Sequence, residues 1–287
     1  MELYLGVDGG GSGCRAAVCD AAGRVLGRGE AGPANIWTGF DAARANVLAA
    51  SAAALAGAGA DAAPRAAVLG LAGANVAVAA ERLRGALPWA RMRIESDVVT
   101  AGRGALGAGD GRVAVLGTGS VFAAQRGGRV EVIGGWGFQL GDHAGGAWLG
   151  RRLCEAALLA HDGLAPGSAL TAALLAEAGG PEGLVAWGAG ASPGEFAARV
   201  PRLLAAAAEG DAAAEAILAE ADAWVAAALD RLDGRLDGRL GDAGRLCFLG
   251  GLGPVFAARL AGRYGAALCA PLGTPLDGAL AMAREMA

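Results

Sequence analysis

The sequence contains one pattern twice, and this internal repeat constrains the fold more than any other feature. The segment VDGGGSGCRAAVCDAAGRV, beginning at Val7, matches VLGTGSVFAAQRGGRV, beginning at Val115. A second pair, VLGLAGANVAVAAERLRGAL from Val68 and CFLGGLGPVFAARLAGRYGA from Cys247, matches in the same order. Alanine-rich segments align easily by chance, so the argument depends on the glycine, serine and threonine positions. Such a repeat indicates a duplicated structural unit.

Each copy predicts the element order β-β-β-α-β-α-β, with a turn of glycines and hydroxyl residues after its first strand. Strands that alternate with helices in this way predict an α/β fold. We therefore expect a duplicated fold with two lobes and a central cleft. In the first copy the predicted strands are Glu2–Asp8, Cys14–Asp20, Arg24–Glu30, Ala66–Leu71 and Met92–Glu95, and the predicted helices are Asp41–Leu55, with Asp41 as its N-cap, and Val76–Leu87.

The second copy is predicted to contain a large helical insertion. The N-terminal lobe is expected to span residues 1–111, with the C-terminal helix, residues 275–287, packing back on it. A glycine-rich linker, Gly102–Gly111, then leads to a C-terminal lobe over residues 112–274, with the helical insertion at 142–237. The predicted strands there are Val113–Leu116, Val121–Arg126, Arg129–Ile133, Leu246–Leu249 and Ala267–Cys269, and the predicted helices after the insertion are Val255–Tyr264 and Leu276–Met286.

The chain contains no lysine, so its positive charge comes from arginine alone. This excludes a Walker A loop, a Schiff-base lysine and an ATP-pairing lysine of the protein-kinase type. The net charge of −4, with no basic stripe, predicts no nucleic-acid partner. No uncharged run reaches the roughly 20 strongly apolar residues of a membrane span, and no export signal is recognisable. We expect a cytoplasmic protein that has no membrane partner.

Cysteine and histidine usage predicts neither a zinc site nor an iron–sulfur site. The five cysteines include no CxxC pair and show no metal-binding spacing, and only two histidines are present. In a cytoplasmic chain such cysteines are typical of small, buried apolar side chains. Two histidines are too few to favour a His-rich metal site or a Ser-His-Asp hydrolase.

The two glycine–hydroxyl turns, Gly9–Ser12 and Gly117–Ser120, are candidates for phosphate binding. Backbone N–H groups in tight turns bind anionic oxygens, and serine or threonine hydroxyls add further donors. Either turn alone would be an ordinary hairpin, but their equivalent positions favour one nucleotide site. The glycines after Leu249 would let adenosine approach the backbone, with a plain helix start as the alternative. The predicted ATP-binding residues are Gly10, Gly11, Ser12, Gly117, Thr118, Gly119, Ser120, Gly250 and Gly251.

Two aspartates stand at the ends of predicted strands in the first copy. Asp8 is placed to hold Mg²⁺ through water, because a hard cation on a nucleotide phosphate prefers one or two carboxylates. A turn-capping role is the alternative for Asp8. Asp97 is the candidate general base. Its alternative role is that of N-cap of a helix over Val98–Leu106, which the Ser96-Asp97 pair would also suit.

The stretch GGWGFQLGDHAGGAWLG, from Gly134 to Gly150, is the candidate wall of a small-molecule site. Glycines allow close approach to the backbone, and Trp136 offers an apolar ring to a flat-faced ligand. Asp142 would bind a hydroxyl group, or would simply cap the following helix. Among the other tryptophans, Trp37 is also a ligand candidate, whereas the tryptophans in apolar surroundings are predicted to be core residues: Trp89, Trp187 and Trp224.

Several motifs together resemble a known family. GVDGGGSGCR, LGTGS, GGWGFQLGD and LGGLG are similar to the phosphate, connecting and adenosine motifs of the superfamily that contains acetate and sugar kinases, Hsp70 and actin. The resemblance is specifically to its BadF/BadG/BcrA/BcrD ATPase and N-acetylglucosamine kinase branch. Within that branch, GPANIW, LAGA, SDVVTAG, LLAHDG and VAWG resemble bacterial glucosamine kinases, so the resemblance spans nearly the whole chain.

The resemblance implies a ribonuclease H-like fold in each lobe and phosphorylation of the 6-hydroxyl of glucosamine by ATP and Mg²⁺. It places Asp97 as the catalytic base and Ser12 and Thr118 at the ATP phosphates. His143 departs from the family, which commonly has an acidic residue or glutamine there. A homodimer is the family-like expectation. The substrate-binding residues that the resemblance implies are Asn35, Asp97, Gly135, Trp136, Gly137 and Asp142.

Alternative functions remain open at this point. An N-acetylglucosamine kinase would need a small apolar pocket for the acetamido group, whereas glucosamine would need a carboxylate or carbonyl partner for its ammonium group. An ATP-driven activator of a 2-hydroxyacyl-CoA dehydratase or benzoyl-CoA reductase would need cysteines directed at a shared iron–sulfur cluster. An actin-like polymer or a sugar-responsive regulator is a third alternative, although no DNA-binding module precedes Glu2.

Overall fold

A computed structural model describes residues 2–60, 63–235 and 244–286. The chain forms two compact units. The first unit contains Met1–Val113, Ala123–Glu131 and Cys269–Ala287, and the second contains Ala114–Phe122 and Val132–Leu268. The lobe boundaries expected from the repeat, after residues 111 and 274, stay a prediction.

The strands follow the expected order. Over the described residues, they are β1 (Tyr4–Gly9), β2 (Cys14–Cys19), β3 (Val25–Ala31), β4 (Ala66–Leu71), β5 (Met92–Ser96), β6 (Gly111–Leu116), β7 (Ser120–Arg126), β8 (Arg129–Gly134) and β9 (Arg245–Leu249). Three helices separate or follow the strands of the first copy: α1 (Phe40–Gly57), α2 (Ala77–Arg84) and α3 (Asp97–Leu106).

Over the residues described there, the predicted insertion consists of helices joined by turns and loops, and its predicted end at Asp237 lies outside them. No helix of the described ranges is long and apolar enough to cross a membrane. The insertion contains α4 (Gly146–His161), α5 (Ala169–Ala178), α6 (Pro181–Gly190), α7 (Pro193–Ala197), α8 (Val200–Ala208) and α9 (Ala212–Arg235). It is followed after β9 by α10 (Gly253–Arg259), α11 (Ala261–Tyr264) and α12 (Pro275–Glu285).

The first sheet has the strand order β3-β2-β1-β4-β5. β1 is antiparallel to β2 and parallel to β4, and β4 is parallel to β5. Gly9 pairs with Leu71 across β1 and β4, and Leu71 pairs with Ser96 across β4 and β5. The carboxyl ends of three parallel strands therefore lie in register at one edge of the sheet.

Side chains alternate along β1, so each face of the first sheet has its own core. Leu5 and Val7 are buried in a core that includes Val47 of α1. Tyr4 points to the other face and belongs to a core with Leu280 of α12. Helix α12 also packs against α3. The last helix of the chain thus covers the strand with which the chain begins.

Two expectations for this unit are wrong. Asp41 does not cap α1: the helix begins at Phe40, its N-cap is Gly39, and no side-chain cap bond is formed. The segment Gly102–Gly111 is not a linker, because its first five residues belong to α3 and its last residue begins β6. Gly104 is needed there for packing, since a Cβ at this position would lie 2.0 Å from the backbone oxygen of Thr274.

The second sheet has the order β8-β7-β6-β9. This order corresponds to β3-β2-β1-β4 of the first sheet and confirms the predicted duplicated α/β fold. The predicted strand Ala267–Cys269 is wrong, because only Leu268 forms a single parallel bridge, to Leu246. The predicted helix Val255–Tyr264 is divided, with α10 ending at Arg259 and α11 beginning at Ala261.

Candidate active site

Two carboxylates lie at the carboxyl edge of the first sheet. Asp8 is in β1 opposite Gly70 of β4, and register partners point to the same face. A Cβ at Gly70 would lie 1.9 Å from Oγ1 of Thr100, so this face is the one that α3 covers. Asp97 is the first residue of α3 and directly follows β5. The strand order and the start of α3 therefore bring Asp8 and Asp97 to the same edge and face.

Asp97 carries a partly buried carboxyl group whose pKa is raised. Its Oδ1 accepts hydrogen bonds from the backbone N–H of Val98 at 2.8 Å and from the Ser96 hydroxyl at 3.2 Å. Burial raises the pKa of Asp97, these two hydrogen bonds oppose the rise, and the negative charge of Asp8 adds to it. The capping alternative is wrong, because the N-cap position belongs to Ser96 and Asp97 is already helical. A raised pKa is what a general base in a protein interior requires.

Asp8 is paired with an arginine at the same edge. Its Oδ2 accepts a hydrogen bond from Arg15 at 2.7 Å, and its side chain is 12% exposed. Burial raises the pKa of Asp8, and the guanidinium of Arg15 lowers it by a smaller amount. Within the described residues, no group of three or more histidine, cysteine or acidic residues could hold a metal ion. Mg²⁺ bound to a nucleotide takes only one or two carboxylate ligands from the protein, and this edge offers that number.

The first glycine turn follows β1 and is open. The N–H of Gly10 donates to the carbonyl of Gly13 at 2.9 Å, and the carbonyl of Gly10 accepts from Ala34 at 2.8 Å. A Cβ at Gly10 or Gly11 would meet nothing within 4 Å, and Gly11 and Ser12 are exposed. The turn is fixed at its base, while its tip is accessible to a ligand.

Asn35 lies in the loop between β3 and α1. Its Oδ1 accepts from the backbone N–H groups of Trp37 and Thr38, at 3.0 and 3.1 Å. The neighbouring backbone is close, since a Cβ at Gly73 would lie 2.8 Å from this oxygen. The amide oxygen of Asn35 thus shapes the loop, and the Trp37 ring beside it is 60% exposed.

In the second unit, the turn after β6 is joined to the start of α4. The carbonyl groups of Gly117 and Thr118 accept hydrogen bonds from Gly146 and Ala147, at 2.8 and 2.9 Å. Thr118 is exposed. Ser120 is buried, and its hydroxyl donates to the backbone carbonyl of His143 at 2.7 Å. The two hydroxyls therefore differ: that of Thr118 faces solvent, whereas that of Ser120 holds the following loop.

Asp142 lies directly against this turn. A Cβ at Gly119 would be 2.3 Å from Oδ2 of Asp142, and Oδ1 accepts a hydrogen bond from the N–H of Gly137 at 3.1 Å. The backbone φ of Asp142 is +54°. Asp142 is not a helix cap, since the N-cap of α4 is Gly145. The structure thus brings the predicted sugar-binding carboxylate and the predicted phosphate turn into contact within one unit.

Tryptophans surround the loop that contains Asp142. Trp136 is 71% exposed in this loop, beside Gly135, whose N–H donates to the carbonyl of Ser120. The expectation that Trp224 is a core residue is wrong, because its side chain is 45% exposed. Its ring lies 4.1 Å from that of His143, centroid to centroid. The sequence analysis missed both this contact and the Ser120 bond. Trp187 is half-buried, and Trp89, at 7% exposure, is the predicted core residue that is confirmed.

The glycines after β9 have different roles. Gly250 has φ +81°, and a Cβ there would lie 2.3 Å from the carbonyl oxygen of Leu116. That oxygen accepts a hydrogen bond from Leu252 at 2.9 Å. Gly250 is therefore required for the approach of this turn to β6. Gly251 is exposed with no atom near its missing side chain, which leaves its backbone accessible.

The repeated strand order, with a glycine–hydroxyl turn after the first strand of each sheet, defines a protein with a duplicated actin-like ATPase fold. The chain belongs to the BadF/BadG/BcrA/BcrD ATPase family, whose model matches residues 5–255. It is also similar to glucosamine kinase GspK of Vibrio cholerae serotype O1, with 32% identity over 257 residues that cover 88% of this chain and 85% of the relative.

Solved structures agree with this membership. The structure of a provisionally assigned N-acetylglucosamine kinase from Chromobacterium violaceum is 34% identical, with a TM-score of 0.83 and coverage of 98% of both chains. A ROK-family glucokinase from Streptomyces griseus, solved with glucose and AMPPNP, is 21% identical, with a TM-score of 0.58 and coverage of 99% of both chains. At that identity the glucokinase shows a shared fold alone.

Proposed function

We propose that this protein is an ATP-dependent amino-sugar kinase that phosphorylates the 6-hydroxyl of glucosamine, giving glucosamine 6-phosphate and ADP. The observation that carries the proposal is the similarity to a glucosamine kinase over 88% of the chain. The partly buried Asp97, whose pKa is raised by burial, supports the proposal as a candidate base.

In the proposed reaction, Asp97 accepts a proton. The sugar hydroxyl oxygen forms a bond to the γ-phosphorus of ATP while the bond from that phosphorus to the β–γ bridging oxygen breaks. The hydroxyl proton moves to the Asp97 carboxylate, and ADP leaves with the electron pair of the broken bond. A positioned base of this kind contributes on the order of 10²–10⁴ in rate.

ATP is proposed to bind through the turns and through Asp8. In the first unit Gly11 and Ser12 would supply N–H and hydroxyl donors at the exposed tip, and Gly10, whose own N–H is bonded to Gly13, would allow close approach. Asp8 would hold Mg²⁺, which neutralises phosphate charge. In the second unit Gly117, Thr118 and Gly119 are also proposed to lie at the phosphates. Thr118 would supply an exposed hydroxyl, whereas the N–H of Gly117 is bonded to the carbonyl of Gly119 and Ser120 holds the adjoining loop. Gly250 and Gly251 are proposed to lie beside the adenosine.

The sugar is proposed to contact Asn35, Trp136, Asp142 and the glycines beside Trp136. Asn35 would donate from its amide nitrogen, since its oxygen already accepts two backbone bonds. Trp136 offers an exposed ring, and the glycines on either side of it, Gly135 and Gly137, permit close approach. Asp142 would accept hydrogen bonds from a hydroxyl group or pair with the ammonium group of glucosamine.

Steady-state kinetics with three sugars test the substrate. We expect kcat/KM for glucosamine to exceed that for N-acetylglucosamine and glucose, with ADP release that depends on the sugar. N-Acetylglucosamine kinase is the second candidate, favoured by the 34% identical structure. A large preference for the acetylated sugar would replace glucosamine by that substrate, and no sugar-dependent ADP release from any of the three would remove the kinase proposal.

The dehydratase-activator alternative fits the cysteines poorly. Cluster ligands are thiolates, and burial, assisted by Asp8, raises the pKa of Cys14 to about 12. Cys19, Cys154 and Cys247 are buried as well. We expect a purified preparation that is colourless and free of iron. A brown preparation with stoichiometric iron and sulfide would instead favour the activator.

The remaining expectations concern location and assembly. A kinase that consumes ATP is proposed to act in the cytoplasm, where ATP is supplied. A homodimer is proposed from the family resemblance. Light scattering of the purified protein measures the assembly: twice the chain mass supports the dimer, whereas a single chain mass or ATP-dependent filaments would contradict it.

A further inference from the structure

The segment Asp142–Ala144 has a strained backbone that the neighbouring chain must hold. Asp142 has φ +54° and Ala144 has φ +67°, and these are the positive φ values of non-glycine residues within the described ranges. Residues with a Cβ adopt this conformation only where their surroundings enforce it. His143 lies between them, so contacts that hold His143 also restrain both neighbours.

His143 is held at its backbone and at its ring. The Ser120 hydroxyl donates to its carbonyl at 2.7 Å. Its imidazole lies 4.1 Å from the Trp224 ring, with 32° between the planes, and 6.0 Å from the Trp148 ring. Trp148 is in α4, which directly follows the loop, whereas Trp224 is in α9. The Trp224 contact therefore ties the loop to a helix that is distant in sequence.

We infer that the His143–Trp224 ring pair is a positioning device for Asp142. This inference rests on the proposed function, in which Asp142 binds the amino sugar. The adjacent peptide links His143 to Asp142, whose Oδ1 reaches the N–H of Gly137 and whose Oδ2 lies against Gly119. Loss of the ring pair lets the strained segment relax and moves the carboxylate. Trp224 does not contact the substrate; it acts through His143.

The half-exposed position of Trp224 agrees with this role. At 45% exposure its ring contributes less to the unit's core than a buried side chain would. An aromatic pair contributes energy beyond area burial, and an indole ring suits an imidazole in offset stacking. Trp224→Phe should therefore keep most of the positioning effect on Asp142. Trp224→Leu, whose side chain has similar hydrophobicity but no ring, should lose this effect.

Two measurements test the inference. Trp224→Leu should raise KM for the amino sugar by about two- to tenfold, the equivalent of one aromatic pair, and Trp224→Phe should restore most of the affinity. KM for ATP should change by less than about twofold, because the bonds of the phosphate turn to α4 are retained. Leu159→Ala is the matched control, since Leu159 is 40% exposed on a helix of the same unit; its kinetics should equal those of the wild type.

Hydrogen exchange of the unliganded protein gives a readout that needs no activity. The N–H groups of Gly137 and Gly145 donate to the Oδ1 and to the backbone carbonyl of Asp142, at 3.1 and 2.9 Å. In Trp224→Leu these two groups should exchange faster than in the wild type, and in Leu159→Ala they should not. Unchanged exchange in Trp224→Leu, or an equal rise in KM for both substrates, would overturn the inference. Absence of sugar-dependent ADP release in the wild type would refute the proposed function, whereas the exchange data would still decide the positioning role.

Discussion

Replacing Asp97 by asparagine separates the catalytic role of this carboxylate from its structural role. The amide oxygen of asparagine can accept the same bonds from Val98 at 2.8 Å and Ser96 at 3.2 Å. The substitution removes the negative charge and with it the ability to take a proton. A loss of 10²–10⁴ in kcat, or about 2.7–5.4 kcal/mol in the activation barrier, is expected from that change alone.

The activity of Asp97→Asn should fall, but its thermal stability should be equal to that of the wild type or higher. Because burial raises the folded-state pKa of Asp97 above its ordinary value of 3.8, the unfolded chain ionises first as pH rises. The free energy of unfolding therefore falls between pH 3.8 and the raised pKa and stays lower above it. Asp97→Asn removes this loss, so its Tm at pH 7 should equal or exceed that of the wild type, and the difference should vanish below about pH 3.8.

The assay is coupled ADP release with saturating glucosamine, followed by thermal unfolding of the same samples. Asp41→Asn is the matched control, because Asp41 also lies in the first turn of a helix of this unit and is exposed. Its kcat should be that of the wild type. Near wild-type turnover in Asp97→Asn would refute the role of base, and a Tm well below the wild type would refute the account of its buried charge.

Three further results are expected. Since the charge of Asp8 helps to raise the pKa of Asp97, the acid limb of kcat/KM should lie above pH 3.8 and should move to lower pH in the residual activity of Asp8→Asn; an unmoved limb would contradict this coupling. Gly70→Ala places a Cβ 1.9 Å from Thr100 Oγ1 and should lower the free energy of unfolding in urea by about 1–3 kcal/mol, whereas Gly167→Ala, with no atom within 4 Å, should change it by less than about 0.5 kcal/mol. EDTA should abolish sugar-dependent ADP release, and added Mg²⁺ should restore it; full turnover in EDTA would contradict the proposed metal role of Asp8.

The duplicated strand order could be predicted because its signals are local. A glycine–hydroxyl turn after an apolar strand recurs at Gly9–Ser12 and Gly117–Ser120, and both strands and turns are found where the pattern places them. The weaker local signals failed. Asp41 is a good capping residue by type, but α1 begins one residue earlier, at Phe40, with Gly39 at the N-cap. The segment Ala267–Cys269 is apolar enough for a strand, yet only Leu268 pairs.

The candidate site was predictable in its residue types and less so in its contacts. The pattern placed Asp8 and Asp97 at the ends of predicted strands, whereas their common edge comes from the observed parallel pairing of β1, β4 and β5. The contact of His143 with Trp224 joins a loop to a helix far along the chain, and no local pattern encodes it. The one sign of this contact in the sequence is a tryptophan within an alanine-rich helix. Hydrophobicity alone predicts that such a tryptophan is a core residue.

The position of helix α12 determines when one face of the first sheet can be fully covered during synthesis. One face of the first sheet, with Tyr4 and Val68, is covered by Leu280 and its neighbours. The opposite face meets α1 and α2, which leave the ribosome soon after β1. Helix α3 is made early and covers part of the first of these faces, but the part under α12 stays bare during synthesis of the second unit and is closed only when α12 emerges. A frameshift or stop codon anywhere before Pro275 would therefore damage the beginning of the fold, because it removes the cover from its first strand.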